Sequence, residues 1–284
     1  MNLIDGRRVA DGILAELRER VEALVECGVT PTLGILLVGN DPRSAVYVQS
    51  KRRAAEQLGV NVIFEKREQA TKDDVLNQIE TWNQNSNVHG MIIQLPLPNE
   101  LANDELSFIE AVEPTKDVDG LHPLNLGRLL RGQPLVEPAT PRGVVALLDE
   151  YKVELQGATV TLVGFGKLVG RALSALLIDR GCTLTIATKF TKDLGSVTKN
   201  ADIIISAAGS PHLIKPDMVK DEVVLIDVGL SELDERIVGD IAPETREKAK
   251  LVTPVPGGVG PMTVAMLLTN VVESAERLSE VKRT

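Results

Sequence analysis

Three side chains in the first quarter of the chain have the types and spacing needed for chemistry. Ser44, Tyr47 and Lys51 lie at positions i, i+3 and i+7 of a predicted helix over residues 43–58, and therefore on one side of it. A tyrosine ring offers a flat stacking surface, and a partly buried lysine carries a labile proton. The alternative interpretation is that Tyr47 packs in a core and Lys51 belongs to a solvated face.

Three further segments could complete such a site. Gln94 ends a predicted buried strand, and prolines at 96 and 98 make a rigid exit from it. Residues 116–120, Lys-Asp-Val-Asp-Gly, concentrate carboxylates beside a glycine, although Asp and Gly are also common in ordinary turns. Residues 253–263 form a proline–glycine loop before a predicted helix. Such a composition specifies one backbone path whose amides are free to meet a ligand.

A strand, a glycine turn and a helix follow one another in the second half of the chain. A predicted strand over 159–163 leads into Gly164-Phe165-Gly166-Lys167-Leu168-Val169-Gly170 and a predicted helix over 167–180. Glycines let a backbone approach phosphate oxygens at a helix N-terminus, so this pattern indicates a dinucleotide site. The spacing is one residue longer than the common fingerprint, and a plain tight turn is the competing interpretation.

The end of the next predicted strand bears on which dinucleotide would bind. Enzymes that use NAD usually place a carboxylate there to hold the ribose hydroxyls. This chain has Thr188-Lys189-Phe190-Thr191-Lys192 instead. Two lysines suit a 2′-phosphate, which favours NADP over NAD. NAD stays open, because both lysines could be solvated surface charges.

Alternating strands and amphipathic helices must position these residues, and that alternation is typical of an α/β protein. The first half is predicted as a helix over 7–27 followed by a βαβαβ unit, with strands at 33–38, 61–65 and 88–95. In the second half, helices are predicted to alternate with strands at 159–163, 183–187, 202–206 and 223–228, and a last helix begins near 261. We therefore predict two α/β domains that meet near residues 138–141.

Composition excludes several classes of function. The chain has 31 basic and 40 acidic side chains and a net charge of −9, so it lacks the positive footprint of a duplex-binding protein. No uncharged apolar run approaches the roughly 20 residues that span a bilayer, and no secretory signal is visible. Two cysteines and three scattered histidines predict neither a disulfide framework nor a metal site. We expect a protein of the reducing cytoplasm that binds neither nucleic acid nor membrane.

Five segments, in order along the chain, resemble the bifunctional methylenetetrahydrofolate dehydrogenase/cyclohydrolase family, known as FolD. They are Ser44 with Tyr47-Val48-Gln49-Ser50-Lys51, Gln94-Leu95-Pro96-Leu97-Pro98, Lys116-Asp117-Val118-Asp119-Gly120, Thr140-Pro141-Arg142-Gly143, and Pro254-Val255-Pro256-Gly257-Gly258-Val259-Gly260-Pro261-Met262-Thr263. The last motif is highly specific, and together the segments span essentially the whole chain. The resemblance implies oxidation of 5,10-methylenetetrahydrofolate to the methenyl form with NADP, and hydrolysis of that product to 10-formyltetrahydrofolate.

The resemblance also implies an architecture. Residues 1–138 would form an N-terminal α/β folate-binding catalytic domain, and residues 139–266 a Rossmann-like NAD(P)-binding domain, with a cleft between them. The C-terminal helix, residues 267–284, would pack back on the first domain. A homodimer and a role in one-carbon metabolism and purine biosynthesis are further implications.

Roles for single residues follow from the same resemblance. Lys51 would be the catalytic lysine with a lowered pKa, Gln94 its hydrogen-bond partner, Tyr47 the stacking partner of the folate, and Asp119 the anchor of the pterin ring. The other substrate-binding residues would be Ser44, Leu95, Pro96, Pro256, Gly257, Gly258, Pro261 and Thr263. The cofactor-binding residues would be Thr140, Gly164, Phe165, Gly166, Val169, Gly170, Thr188, Lys189 and Gly258.

Three segments depart from the family pattern. Gly164-Phe165-Gly166 replaces Gly-Arg-Ser, Thr188-Lys189 replaces His-Ser, and Pro138-Ala139-Thr140-Pro141 replaces Pro-Cys-Thr-Pro. The first two remove groups that could hold phosphate, although Lys189 could replace the lost charge. Three alternatives therefore stay open: a cyclohydrolase with altered or lost dehydrogenase activity, another two-domain dehydrogenase such as a shikimate-type enzyme, and a non-catalytic folate- or nucleotide-binding module.

Overall fold

The computed structural model describes residues 2–234 and 236–281. The chain divides into two compact α/β units, which confirms the predicted fold class. The N-terminal unit consists of Gly12–Ala139 together with residues from Val264 onward. The C-terminal unit consists of residues up to Asp11 together with Thr140–Thr263.

A three-stranded parallel sheet lies at the centre of the N-terminal unit. Its strands pair in the order β3-β2-β4 and are β2 (Thr32–Val38), β3 (Asn61–Arg67) and β4 (Gly90–Ile93). The helices around it are α1 (Gly6–Glu26), which belongs to this unit from Gly12, α2 (Pro42–Leu58), α3 (Lys72–Gln84), α4 (Glu105–Ala111) and α5 (Pro123–Leu130). All seven residues of β2 are buried, as expected for a parallel strand covered on both faces.

A six-stranded parallel sheet lies at the centre of the C-terminal unit. Its order is β1-β11-β8-β7-β5-β6, with strands β1 (Asn2–Leu3), β5 (Thr159–Val163), β6 (Thr183–Ala187), β7 (Ile203–Ser206), β8 (Val223–Asp227) and β11 (Ala249–Val252). A separate antiparallel pair joins β9 (Ser231–Leu233) and β10 (Arg236–Val238). The helices are α6 (Ala139–Glu150), α7 (Gly170–Asp179), α8 (Leu194–Thr198) and α9 (Val259–Val281), the last of which belongs to the N-terminal unit from Val264.

The first residues of the chain differ from the predicted division at 138. β1 pairs in parallel with β11, and Ile4 N donates to Val252 O at 2.8 Å. Residues up to Asp11 therefore belong to the C-terminal unit, not with the rest of the predicted segment 1–138. A two-residue strand carries no periodicity, so the sequence pattern could not reveal it.

Two element boundaries also differ from prediction. The helix expected from 167 begins at Gly170, because the preceding residues form the glycine turn. The strand expected over 88–95 is limited to Gly90–Ile93, since Gln94 already leaves the ladder after one backbone bond to Leu36 O. Short 3-10 helices, α4, the β9–β10 pair and β11 were not predicted.

Helix α9 is tied to the N-terminal unit by polar side chains. Asn270 Nδ2 donates to Val118 O at 2.8 Å and to Glu137 O at 2.9 Å. Ser274 Oγ lies 2.6 Å from His89 O and 2.6 Å from Thr115 O. The carbonyls of Thr115 and Val118 belong to the segment that carries Asp119, a predicted site residue, so the helix supports that segment directly. None of the helices within residues 2–234 and 236–281 is long and apolar enough to cross a membrane.

Asp202 ties together two strands at the amino end of the larger sheet. Lys220 Nζ donates to its Oδ1, and Thr159 donates to its Oδ2 through the backbone N–H at 2.8 Å and the hydroxyl at 2.7 Å. These three donors lower the pKa of Asp202 to about 2. Because this value lies below the 3.8 of an ordinary aspartate, the stabilisation is complete above that pH and is lost as the pH falls towards 2.

We predict that Asp202→Asn destabilises the protein at neutral pH by about 1 kcal/mol, since the site is partly exposed to solvent. The difference from wild type should shrink as the pH falls below about 4, because Asp202 then becomes protonated in the unfolded wild-type chain while it is still ionised in the folded protein, and this proton uptake favours unfolding. Urea unfolding at pH 7 and pH 3 measures both values. A loss of equal size at the two pH values would contradict this account of Asp202.

Candidate functional site

Lys51 and Gln94 meet in the N-terminal unit. Lys51 lies on α2, and its Nζ donates to Gln94 Oε1 at 3.1 Å. Gln94 is buried and follows β4; its backbone N–H donates to Leu36 O at 2.8 Å, and its Nε2 donates to Leu95 O at 2.6 Å. The backbone and the side-chain nitrogen of Gln94 are therefore both held by hydrogen bonds, and the side-chain oxygen accepts from the lysine.

The surroundings of Lys51 favour a labile proton. Burial lowers the pKa of its amine from 10.5, and the negative charge of Asp119 opposes that shift only in part. Within the described part of the chain, no carboxylate forms an ion pair with Lys51. A lysine paired to a neutral amide, with its pKa lowered in this way, gives up its proton more readily and can act as a proton donor and acceptor.

The predicted face of α2 has residues of two kinds. Tyr47 is 44% exposed, so its ring is available to a ligand. Ser44 is only 1% exposed, and its N–H and hydroxyl donate to Asp41 Oδ2 at 2.8 and 2.7 Å. Asp41 is the N-cap of α2, so the structure gives Ser44 a part in starting the helix.

Lys116 stabilises the fold through its side chain, which caps a helix. Its Nζ donates to Trp82 O, Asn83 O and Asn85 O at 2.7–2.9 Å, and so caps the C-terminus of α3. Its own carbonyl accepts from Met91 N at 2.9 Å, which ties the segment to β4. The lysine of this segment therefore holds the loop in place.

The two aspartates of the same segment have different surroundings. Asp117 is buried and accepts four hydrogen bonds, from the backbone N–H groups of Gly120, Leu121 and His122 and from Asn125 Nδ2. Asp119 is partly exposed, and its charge acts on Lys51. Of the two carboxylates, Asp119 is thus the one open to a ligand.

A cavity of about 820 Å³ lies at the carboxyl ends of β2 and β3 in the same unit. Pro96, a predicted substrate-binding residue, is part of its wall. The cavity is also lined by four carboxylates and by no lysine or arginine; the four are Asp41, Glu68, Asp74 and Glu100. This lining makes the cavity unfavourable for an anionic group.

The glycine turn of the C-terminal unit has the backbone that a phosphate site requires. Gly164 has φ +101°, and a Cβ there would collide with Ala207 O. A Cβ at Gly170, the first residue of α7, would collide with Gly164 O, so helix and turn pack closely. Open space surrounds the Cβ position of Gly166. The turn thus offers free backbone at the start of a ten-residue helix.

Positive charge lies beside this turn. Gly164 N donates to Ala187 O at 2.9 Å, which places the end of β6 next to the turn. Lys189 follows that end and is exposed, as is Thr188. The Arg171 guanidinium, which sequence reasoning missed, lies 5.4 Å from the centre of the Phe165 ring. Arg171 could have been predicted from its place in the first turn of α7, directly after the glycine turn.

The proline–glycine loop belongs to the C-terminal unit up to Thr263. Thr140 Oγ1 and Thr263 Oγ1, predicted for the cofactor and the substrate respectively, lie 3.0 Å apart. A Cβ at Gly258 would lie 2.6 Å from Pro254 O, so only glycine fits that position. Pro256 is exposed, and Gly257, Pro261 and Thr263 are partly exposed. The loop therefore presents several predicted residues at its surface.

Two buried aspartates of the C-terminal unit were not predicted. Asp227 ends β8 and accepts from the backbone N–H groups of Gly229, Asp240 and Ile241 at 2.9–3.2 Å. Burial raises its pKa to about 6, and these hydrogen bonds oppose the shift in part. Asp240 lies beside it and is fully buried. The feature of the sequence that could have indicated these buried aspartates is the pair of nearby glycines, Gly229 and Gly239, where a Cβ would collide with the carboxylates of Asp240 and Asp227 respectively.

The described part of the chain holds no group of three or more His, Cys, Asp or Glu side chains suited to a metal ion. The fold and the two sites instead define a two-domain α/β protein with a lysine site in one unit and a dinucleotide turn in the other. Two family models match these same regions. The catalytic domain of tetrahydrofolate dehydrogenase/cyclohydrolase matches residues 4–119, and its NAD(P)-binding domain matches residues 138–279. The chain belongs to the tetrahydrofolate dehydrogenase/cyclohydrolase family.

Known proteins resemble the chain over its whole length. A bifunctional protein FolD of Nautilia profundicola is 45% identical, over 99% of this chain and 100% of that protein. The crystal structure of the bifunctional FolD enzyme of Campylobacter jejuni matches with a TM-score of 0.95 and 40% identity, over 98% and 99% of the two chains. A Trypanosoma brucei enzyme in complex with NADP cofactor and inhibitor matches with a TM-score of 0.93 and 33% identity, over 97% of each chain.

The shikimate-type alternative receives much weaker support. The shikimate 5-dehydrogenase of Thermus thermophilus matches with a TM-score of 0.53 and 14% identity. Identity at that level shows a shared fold and nothing about the reaction.

We predict stability effects of very different size for the two aspartates of residues 116–120. Asp117→Ala should lower the free energy of unfolding by about 2–4 kcal/mol, because it leaves buried donors without an acceptor. Asp119→Ala, the matched control two residues away, should change it by less than about 0.5 kcal/mol. Urea unfolding of both variants tests this, and equal losses would contradict the structural difference between them.

Proposed function

We propose that the chain is a bifunctional one-carbon folate enzyme. It oxidises 5,10-methylenetetrahydrofolate to 5,10-methenyltetrahydrofolate and hydrolyses the product to 10-formyltetrahydrofolate. The observation that carries the proposal is the contact between Lys51 and Gln94 beside Asp119, in the unit whose sequence matches the family's catalytic domain. The dinucleotide turn of the second unit supports the oxidative half.

The oxidative step depends mainly on positioning. A bound NADP would supply the acceptor for the hydride that leaves the methylene carbon of the folate. The methenyl cation that remains is stabilised by its two flanking nitrogens, so this step needs no strong acid or base from the protein. The chain's contribution is to hold the folate, with Tyr47 stacking against it and Asp119 accepting hydrogen bonds from the N–H groups of the pterin ring.

Hydrolysis of the methenyl cation has different requirements, because water must lose a proton and a ring nitrogen must gain one. Lys51 is suited to this transfer, since its pKa is lowered and its partner is a neutral amide. Gln94 keeps the amine in place without adding a charge. Leu95, Pro96, Ser44 and the loop residues Pro256, Gly257, Gly258, Pro261 and Thr263 are proposed to shape the folate site.

NADP is the proposed nucleotide. The T. brucei relative binds NADP, and the end of β6 in this chain has Thr188 and Lys189 where an NAD enzyme would have a carboxylate. The cationic side chains of Lys189 and Arg171 can interact with a 2′-phosphate. The proposed contacts with the rest of the cofactor come from Gly164, Phe165, Gly166, Val169, Gly170, Thr140 and Gly258.

Assembly and cellular context are proposals as well. We propose a homodimer: β6 lies at the edge of the six-stranded sheet, and Ile186 on it is 39% exposed, so a second copy would cover an open edge. We also propose a cytoplasmic location, and a role for the 10-formyl product as a one-carbon donor in purine biosynthesis.

Substitution of Lys51 tests the proposed hydrolysis. Lys51→Met should lower the cyclohydrolase rate at least 100-fold, because proton transfer is lost. Lys51→Arg should be almost as slow, since a guanidinium keeps its charge but does not give up its proton. Lys66→Met replaces an exposed lysine of the same unit and should leave the rate unchanged. The measurement is the loss of methenyltetrahydrofolate absorbance without cofactor; an undiminished rate in Lys51→Met would rule out the assigned role.

Substitutions beside the glycine turn test the choice of nucleotide. Arg171→Ala and Lys189→Ala should each raise the KM for NADP about tenfold and leave the KM for NAD nearly unchanged, because only NADP carries the 2′-phosphate. Arg180→Ala removes the same charge at the other end of α7 and is the control. Equal effects on both nucleotides would place these residues outside a 2′-phosphate site. A wild-type protein that oxidises methylenetetrahydrofolate with neither nucleotide would favour the second candidate, a cyclohydrolase without the dehydrogenase activity.

A further inference from the structure

Asp240 is a fully buried carboxylate that binds one loop at four points. Its Oδ2 accepts from Ser206 Oγ at 2.8 Å, Ala208 N at 2.8 Å and Gly209 N at 3.2 Å, and its Oδ1 accepts from Ser210 N at 2.7 Å. Both oxygens are used, and every donor comes from the five residues 206–210. A buried charge is costly, and here its cost is offset by hydrogen bonds to this single loop.

This loop lies against the glycine turn. It continues from the end of β7, and Ala207 N donates to Val163 O at 2.7 Å, at the end of β5. A Cβ at Gly164 would collide with Ala207 O and lie 2.9 Å from Ala208 N. The backbone of the loop therefore forms one wall of the turn, and a shift of the loop would move or open that wall.

The sheet order places both at the edge where a ligand binds. In β8-β7-β5-β6, the chain leaves β5 towards β6 on one side and returns to β7 on the other. The crevice between the carboxyl ends of such strands is where open α/β sheets bind their ligands. The glycine turn follows β5 and the Asp240-bound loop follows β7, so the two loops border this crevice together.

Asp240 is itself held firmly. Its backbone N–H donates to Asp227 Oδ1 at 2.9 Å, and a Cβ at Gly229 would collide with its carboxylate. With four donors around it, the Asp240 carboxylate is fully hydrogen-bonded within the protein.

We propose that Asp240 is a positioning residue for the dinucleotide: it holds residues 207–210 against the glycine turn and so fixes the backbone that borders the bound cofactor. This inference rests on the proposed function, since it assigns the crevice to the cofactor. An aspartate suits the task because both of its oxygens accept. An asparagine has one oxygen, and its NH₂ group would face an N–H of the loop.

The test compares two aspartates at opposite ends of β7. Asp240→Asn changes the residue that binds the loop after the strand, and Asp202→Asn changes the residue that anchors its start. Dissociation constants for NADP are measured by fluorescence titration on each folded protein, and KM and kcat for the dehydrogenase and the cyclohydrolase rate are measured alongside. Asp240→Asn should weaken NADP binding about tenfold or more and raise its KM, with a much smaller change in kcat and none in the cyclohydrolase rate. Asp202→Asn should leave all of these values unchanged.

A milder variant keeps the inference testable if Asp240→Asn does not fold. Ser206→Ala removes one of the four donors and should weaken NADP binding a few-fold. Unchanged NADP affinity in the folded Asp240→Asn protein, or in Ser206→Ala if the first variant is insoluble, would overturn the inference, as would an equal loss in Asp202→Asn. If the wild-type protein binds neither NADP nor NAD, the proposed dehydrogenase function fails instead.

Discussion

Buried aspartates that accept several backbone N–H bonds are the interaction on which both units depend. A carboxylate taken out of water is costly unless donors surround it, and loops at the ends of parallel strands have N–H groups without a ladder partner. Asp117 satisfies three such groups after the bridge to β4, and Asp227 and Asp240 do the same after β8 and β7. Each aspartate thus converts a loop that would otherwise vary in conformation into a fixed surface.

Lys51 differs from these aspartates in what its hydrogen-bond partner does for it. Its hydrogen-bond partner is the neutral amide of Gln94, and the nearby Asp119 offsets only part of the effect of burial. A directly paired carboxylate would stabilise the ammonium form and raise the pKa of the amine. The choice of an amide therefore keeps the proton available, while the carboxylate at a greater distance stays free for a ligand. Position and reactivity are supplied by different side chains.

Much of the site could be predicted because its residues occur in short motifs with strong local signals. The α2 register of Tyr47 and Lys51, the strand before Gln94 and the strand–turn–helix at Gly164 depend on spacing, and the structure has each of these elements. Arg171 and Asp240 were not predicted, since their significance comes from neighbours distant in sequence. β1 was missed for a related reason: two residues show no period, and only its pairing with β11 defines it.

The α/β class, the two-unit organisation and the residue types at the proposed site could be predicted from the amino-acid sequence, because hydrophobic periodicity and glycine or proline placement are local properties. The surroundings of each polar residue became visible only in the folded chain. Within residues 116–120, one charged side chain caps a helix, one binds a loop and one stays open to a ligand, although all three are equally polar. Burial and hydrogen-bond partners make that difference, and both depend on chain segments that only folding brings together.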